Sequence, residues 1–109
     1  FGNHFRDFTY IKDVIKILIK LQNFKLKKKY EIFNISSNYP VKLNIIIKTI
    51  LNSLDGKPKL INRKFQIGDI YKTNGDNKKI LSLTKTKFTN FSVALQNTIE
   101  WNKNYLNLK

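Results

Sequence analysis

Apolar and polar positions alternate loosely over residues 5–11, and the Phe, Thr, Tyr and Ile found there suit a short strand. Asp13 follows as a candidate N-cap. Residues 14–21 are apolar at Val14, Ile15, Ile17, Leu18, Ile19 and Leu21, with Lys16 and Lys20 four apart, which predicts a mostly buried helix with one wet stripe. The β-branched content leaves a strand as the alternative. After a basic loop at residues 25–29, residues 30–36 (Tyr-Glu-Ile-Phe-Asn-Ile-Ser) read as a strand with apolar residues on both faces, the pattern of a parallel sheet covered on two sides. Pro40 stops it. Residues 41–54 carry the clearest amphipathic helix: Leu43, Ile46, Ile47, Ile50, Leu51 and Leu54 recur at three-four spacing, opposite Asn44, Lys48 and Asn52, and Asp55-Gly56 ends it.

Strand, helix, strand, helix implies right-handed βαβ packing and an α/β fold of short parallel strands with covering helices. Beyond Lys57 the pattern is irregular, with a short strand candidate at Leu60-Ile61 and punctuation at Gly68, Asp69, Gly75 and Asp76. A short helix is expected near residues 76–83. Thr89 or Asn90 caps a final helix in which Phe91, Leu95, Ile99 and Leu106 share a face, with Trp101 and Tyr105 beside it.

At 109 residues the chain is one ordinary domain, too short for a two-lobed enzyme with its own cofactor domain. The absence of Cys removes disulfide frameworks, thiolate metal sites and cysteine nucleophiles. The chain starts at Phe1, contains no Met and has neither a signal-peptide pattern nor a membrane-length apolar run, so it reads as a piece of a soluble, cytoplasmic protein. Its formal charge of +14 invites a nucleic-acid partner. The kind of basic residue weakens that reading: there are 19 Lys and 2 Arg beside 15 Ile and 14 Asn, the residues an AT-rich genome writes by default. Arg is the preferred reader of phosphate and guanine because its planar fork bonds bidentately.

With four glycines, no phosphate-cradling loop of the dinucleotide or Walker kind can be built. His4 is the sole histidine, so it has no partner for a triad or a His-based metal site, and it reads as a surface or loop residue. Tyr105 and Lys109 have Tyr-x-x-x-Lys spacing at the C-terminus, which reads as coincidence. No catalytic residue and no metal ligand is assigned.

Two segments carry more. The first is Arg6-Asp7-Phe8-Thr9-Tyr10-Ile11-Lys12-Asp13-Val14, and the second is Gln66-Ile67-Gly68-Asp69-Ile70-Tyr71-Lys72-Thr73. With Tyr30-Glu-Ile-Phe-Asn34-Ile and Pro40-Val41 between them and Glu100-Trp101 near the end, they resemble the C-terminal third of the extended short-chain dehydrogenase/reductases that act on nucleotide sugars. The likeness is greatest to UDP-glucuronate 4-epimerases and capsule-polysaccharide epimerases, where the segments commonly run R-D-F-T-Y-[VI]-x-D and Q-P-G-D-V-x-x-T. It covers nearly the whole chain.

The resemblance implies that Arg6 contacts the nucleotide diphosphate, a role suited to a planar fork in a chain that otherwise chooses lysine. The alternative for Arg6 is an ion pair with Asp7 or Asp13. It implies that Asp69 hydrogen-bonds the ribose, as an acceptor-only carboxylate can; from the residues alone Gly68-Asp69 could equally be a plain turn. Gln66 stands where UDP-galactose epimerases carry a second phosphate-binding Arg and glucuronate epimerases usually carry Gln. Asp13 matches the second acid of V-D-D and caps the first helix. Departures are Lys12 for the preceding acid, Ile67 for Pro, Ser36 for the Gly after N-I, Asn74-Gly75-Asp76 where T-Y-A-D is common, and Thr84 to Lys87 for a Gly-Tyr-Lys-Pro turn. Together they read as drift.

The implied fold is the substrate-binding part of a Rossmann-type enzyme, with residues 1–109 as its C-terminal nucleotide-sugar-binding region and the N-terminal cofactor half missing. Family members use bound NAD and a Tyr-x-x-x-Lys base, and neither the Rossmann loop nor a credible base lies in this chain. The expected function is UDP-sugar binding within a homodimeric isomerase of polysaccharide biosynthesis, with no catalysis by the piece alone. The alternatives are an inactive remnant of such an enzyme and a basic nucleic-acid-binding module.

Overall fold

The computed structural model describes residues 2–25, 29–54, 56, 58–63 and 66–106. Its elements are β1 (Phe5–Asp7), α1 (Ile11–Gln22), β2 (Pro40–Lys42), α2 (Leu43–Asn52), α3 (Lys78–Thr84) and α4 (Phe91–Leu106). No helix among the described residues is long and apolar enough to cross a membrane.

The strands are fewer and shorter than the pattern predicts. β1 pairs with β2 in an antiparallel ladder, Phe5 opposite Lys42, Arg6 opposite Val41 and Asp7 opposite Pro40. Pro40 therefore opens a strand instead of ending one, at a first position where its missing N–H costs little. On its other edge β1 meets an isolated parallel bridge between Phe5 and Lys72. The expected parallel βαβ sheet is absent among the described residues. Residues 30–36 form no ladder, and Tyr30 and Ile32 stand 78% and 79% exposed. A strand with two apolar faces needs a sheet neighbour, which the described residues do not offer it. Leu60 and Ile61 are also exposed and unpaired in any strand.

The helices follow the periodicity more closely. α1 begins three residues earlier than expected because Tyr10, with extended dihedrals, occupies the N-cap without a side-chain cap bond. That moves Asp13 into the first turn, where the helix dipole favours a carboxylate. Fully buried, Asp13 accepts from the Thr89 N–H and the Thr89 hydroxyl, both at 2.8 Å, instead of capping its own helix. Lys16 lies 3.4 Å away. Asn90 is the cap of α4: its side chain accepts from the Ser92 N–H at 2.9 Å, and its carbonyl accepts from Ala94. Of the two expected caps of α4, Asn90 fills the place and Thr89 is held by Asp13. α2 ends at Ser53, whose hydroxyl donates to the Thr49 carbonyl; Asp55 of the expected stop lies outside the described residues.

The core consists of Ile17, Val41, Ile46, Ile80, Ala94 and Ile99. It is thin. The body measures 53 × 35 × 19 Å, and large apolar side chains on α1, α2 and α4 remain exposed. α1 packs against α3 while Ile11, Ile15, Leu18 and Ile19 remain exposed, contrary to the expected burial. Lys20, on the predicted wet stripe, is exposed as expected and also donates to the Thr84 carbonyl at the end of α3. On α4, Leu106, Trp101 and Tyr105 are exposed, the two rings stacked at 5.0 Å.

Because Asp13 is a buried carboxylate held by two short hydrogen bonds, Asp13→Ala should destabilise the chain by about 3 kcal/mol. Urea unfolding checks this; a loss no larger than that of a surface Asp76→Ala control would show that the α1 to α4 tie is dispensable.

Candidate functional site

Arg6 is the central residue of β1, which is bonded along both edges. On one side runs the ladder to β2; on the other, the Phe5 N–H donates to the Tyr71 carbonyl at 2.9 Å and the Thr73 N–H donates to the Phe5 carbonyl at 3.2 Å. This second set fastens residues 71–73 beside the strand. The chain just before them reverses in a turn in which the Asp69 N–H donates to the Gln66 carbonyl at 3.1 Å and Gly68 adopts φ +89°. A positive φ at the third turn residue is what glycine supplies without strain. Ile67, standing where the family pattern has Pro, occupies the second turn position and is fully exposed, so the turn forms without the proline.

The result is that Arg6 and Asp69, 63 residues apart, meet. Arg6 Nη2 donates to Asp69 Oδ1 at 2.9 Å, and Nη1 donates to the Phe5 carbonyl at 2.9 Å and the Tyr71 carbonyl at 3.5 Å. The arginine and aspartate side chains are 26% and 40% exposed, open enough for a ligand to reach both. Neither Asp7 nor Asp13 pairs with Arg6, since both carboxylates are committed elsewhere. Asp7 accepts from the Ser37 hydroxyl at 2.5 Å, the Asn38 N–H at 3.2 Å and the Gly75 N–H at 2.8 Å, while its own N–H donates to Thr73 Oγ1. Gln66 contributes its backbone carbonyl to the turn; its side chain is exposed and makes no hydrogen bond among the described residues.

His4, read from sequence as a surface residue, is buried. Its ring lies edge-on to Tyr71, with centroids 5.8 Å apart, and its Nε2 is 3.8 Å from Asp69 Oδ2. The signal was available in the period of two: a strand through Arg6 puts His4 on the same face. Chemically the arrangement offers one oriented guanidinium and one carboxylate side by side, with a histidine behind the carboxylate. No group of three or more acidic, His or Cys side chains suited to a metal occurs among the described residues. A hollow of about 650 Å³ lies elsewhere, among Phe8, Ile46, Ile50, Phe91 and Leu95. Its lining, which also includes Asp13, Ser37 and Asn90, carries no cation, so the arrangement at Arg6 is the better match to a phosphorylated ligand.

Two of the departures named above touch: a Cβ on Gly75 would overlap the Ser36 side chain next to Asp7, so Ser36 occupies the space that a larger residue at 75 would need.

Comparison with known proteins follows the same outline. No protein-family model matches the chain. An uncharacterised protein of Methanocaldococcus jannaschii, MJ1055, is 40% identical over 76 residues, which is 70% of this chain and 23% of that protein. An uncharacterised 37.6 kDa protein of Escherichia coli O111:H-, from the 5′ region of cld, is 25% identical over 96% of this chain and 36% of its own length. Among solved structures, MoeE5 in complex with UDP-glucuronic acid and NAD superposes with a TM-score of 0.84 at 23% identity, over 96% of this chain and 35% of MoeE5. Its complex with UDP-glucose and NAD gives 0.83. The chain therefore has the fold of about one third of MoeE5, and spans about a quarter to a third of the curated relatives it matches.

The contact between positions 36 and 75 predicts a non-additive stability cycle. Gly75→Ala alone should cost about 1–3 kcal/mol through overpacking, and adding Ser36→Gly should recover most of it. Additive thermal-melt losses in the double variant would show the two positions to be independent.

Proposed function

We propose that this chain is the C-terminal nucleotide-sugar-binding region, residues 1–109, of an NAD-dependent UDP-sugar epimerase of the extended short-chain dehydrogenase type, with UDP-glucuronate as its preferred ligand. The observation that carries the proposal is the meeting of Arg6 and Asp69 beside β1. In support, MoeE5, whose fold this chain matches over a third of its length, binds UDP-glucuronic acid, UDP-glucose and NAD.

In this reading the Arg6 guanidinium neutralises and orients the diphosphate, and Asp69 accepts from ribose hydroxyls. The Gln66-to-Asp69 turn sets their separation, and β1 supplies a rigid base, so the chain's contribution is binding energy and orientation. In the same reading the exposed Gln66, at the position where glucuronate epimerases usually carry Gln and galactose epimerases a second Arg, supports a glucuronate-type ligand.

NAD does not fit the residues present. Gly2, Gly56, Gly68 and Gly75 lie in four separate places, and no Gly-rich turn opens a helix. Tyr105 is exposed at the end of α4, and Lys109 of the Tyr-x-x-x-Lys spacing lies outside the described residues. The reading assigns NAD and hydride transfer to residues outside this chain, and the complete enzyme to a cytoplasmic homodimer of polysaccharide biosynthesis.

Calorimetry of the 109-residue chain with UDP should show binding that Arg6→Ala weakens by about 1.5–3 kcal/mol. An unchanged affinity would remove Arg6 from the site. Incubated with NAD and UDP-glucuronate, the chain alone should yield no UDP-galacturonate. A DNA titration that bound more tightly than UDP and fell steeply with salt would point to a nucleic-acid partner instead.

A further inference from the structure

Arg6 and Asp69 are each other's partners before any ligand arrives. We infer, resting on the UDP-sugar reading above, that their ion pair is a specificity device which favours nucleoside diphosphates over bare phosphate anions.

The geometry sets up a competition. Arg6 Nη1 is turned inward to the Phe5 and Tyr71 carbonyls, and Nη2 faces Asp69 Oδ1 at 2.9 Å. An anion that comes to the N–H groups of Arg6 not held by the two carbonyls meets the Asp69 carboxylate beside it, a like charge. The Asp69 backbone is held in the turn to Gln66, and Oδ2 lies 3.8 Å from His4 Nε2. A carboxylate that loses its guanidinium partner beside an anion is destabilised unless it gains new donors.

Ligands differ in what they give it. Pyrophosphate brings a higher negative charge and no ribose hydroxyls, so it engages Arg6 and leaves Asp69 facing a like charge. A ribose brings two hydroxyl donors on the same molecule as the diphosphate, so it provides new partners for both members of the pair at once. The discrimination therefore contains a repulsive element against the wrong ligand as well as an attractive one for the right one. Because both side chains are partly exposed, the effect is modest, about two- to five-fold in affinity.

The test is a double-mutant cycle on the full chain with two probes, UDP and inorganic pyrophosphate, at one ionic strength. Asp69→Asn should bind pyrophosphate about two- to five-fold more tightly than the natural chain and UDP no more tightly. In an Arg6→Gln background the same Asp69 change should have no effect on pyrophosphate. Asp69→Ser repeats the comparison with a smaller side chain, and circular dichroism confirms that each variant is folded. An unchanged pyrophosphate affinity in Asp69→Asn, or a gain that persists without Arg6, overturns the inference; in the second case removal of a negative charge acts through the general field. If the natural chain binds UDP and the cycle shows no coupling, the UDP-sugar reading stands and the device does not. If the folded natural chain binds neither probe, both fail.

Discussion

Strand β1 is three residues long and hydrogen-bonded on both edges, and the site depends on that double attachment. Its ladder to β2 fixes the strand against the buried Val41, while the bonds between Phe5, Tyr71 and Thr73 bring a segment more than sixty residues away into register. Asp7 reinforces the joint by accepting from Ser37, Asn38 and Gly75, so one carboxylate gathers three stretches of chain. Without this clamp the turn carrying Asp69 would have no reason to stop beside Arg6. The net free energy of any one of these bonds is small. Their importance lies in geometry: they place a cation and an acceptor within one hydrogen-bond length.

Much of this was legible in the residues, and the limits have physical causes. Helices with a three-four apolar period, such as α2, fell where the pattern put them, because that signal is local. Asp13 stands out in the sequence as a structural acid, but a buried carboxylate can cap its own helix or tie down a distant segment, and only tertiary structure decides. A lone histidine has no local signature, so the sequence marks the burial of His4 only through its period-two relation to Arg6. The two-sided apolar pattern of residues 30–36 describes what the segment would bury in a sheet, and pairing is not a local property. Arg6 and Asp69 stand out through the family resemblance, while their contact with each other has no sequence signal, since no spacing rule links residues 63 apart.

The exposed apolar positions have a common explanation in the proposed larger body. Ile11, Ile15, Leu18 and Ile19 on α1, with Tyr30 and Ile32 on the unpaired segment, are more apolar surface than a thin body of this size ordinarily leaves in water. The matched chains are about three times as long, and in the proposal the remainder of the fold lies against these faces. In the proposal the chemistry divides in the same way: Arg6 and Asp69 beside β1 serve the nucleotide sugar, and the cofactor belongs to the remainder.

The most direct test of the central claim, that a nucleoside diphosphate binds beside β1 between Arg6 and Asp69, is an amide chemical-shift titration of the isotopically labelled 109-residue chain with UDP. The account predicts saturable shifts concentrated at Phe5, Arg6, Asp69, Tyr71 and Thr73. Shifts confined to the apolar hollow around Phe8, Ile46 and Phe91, or spread weakly over the lysines without saturation, would contradict it.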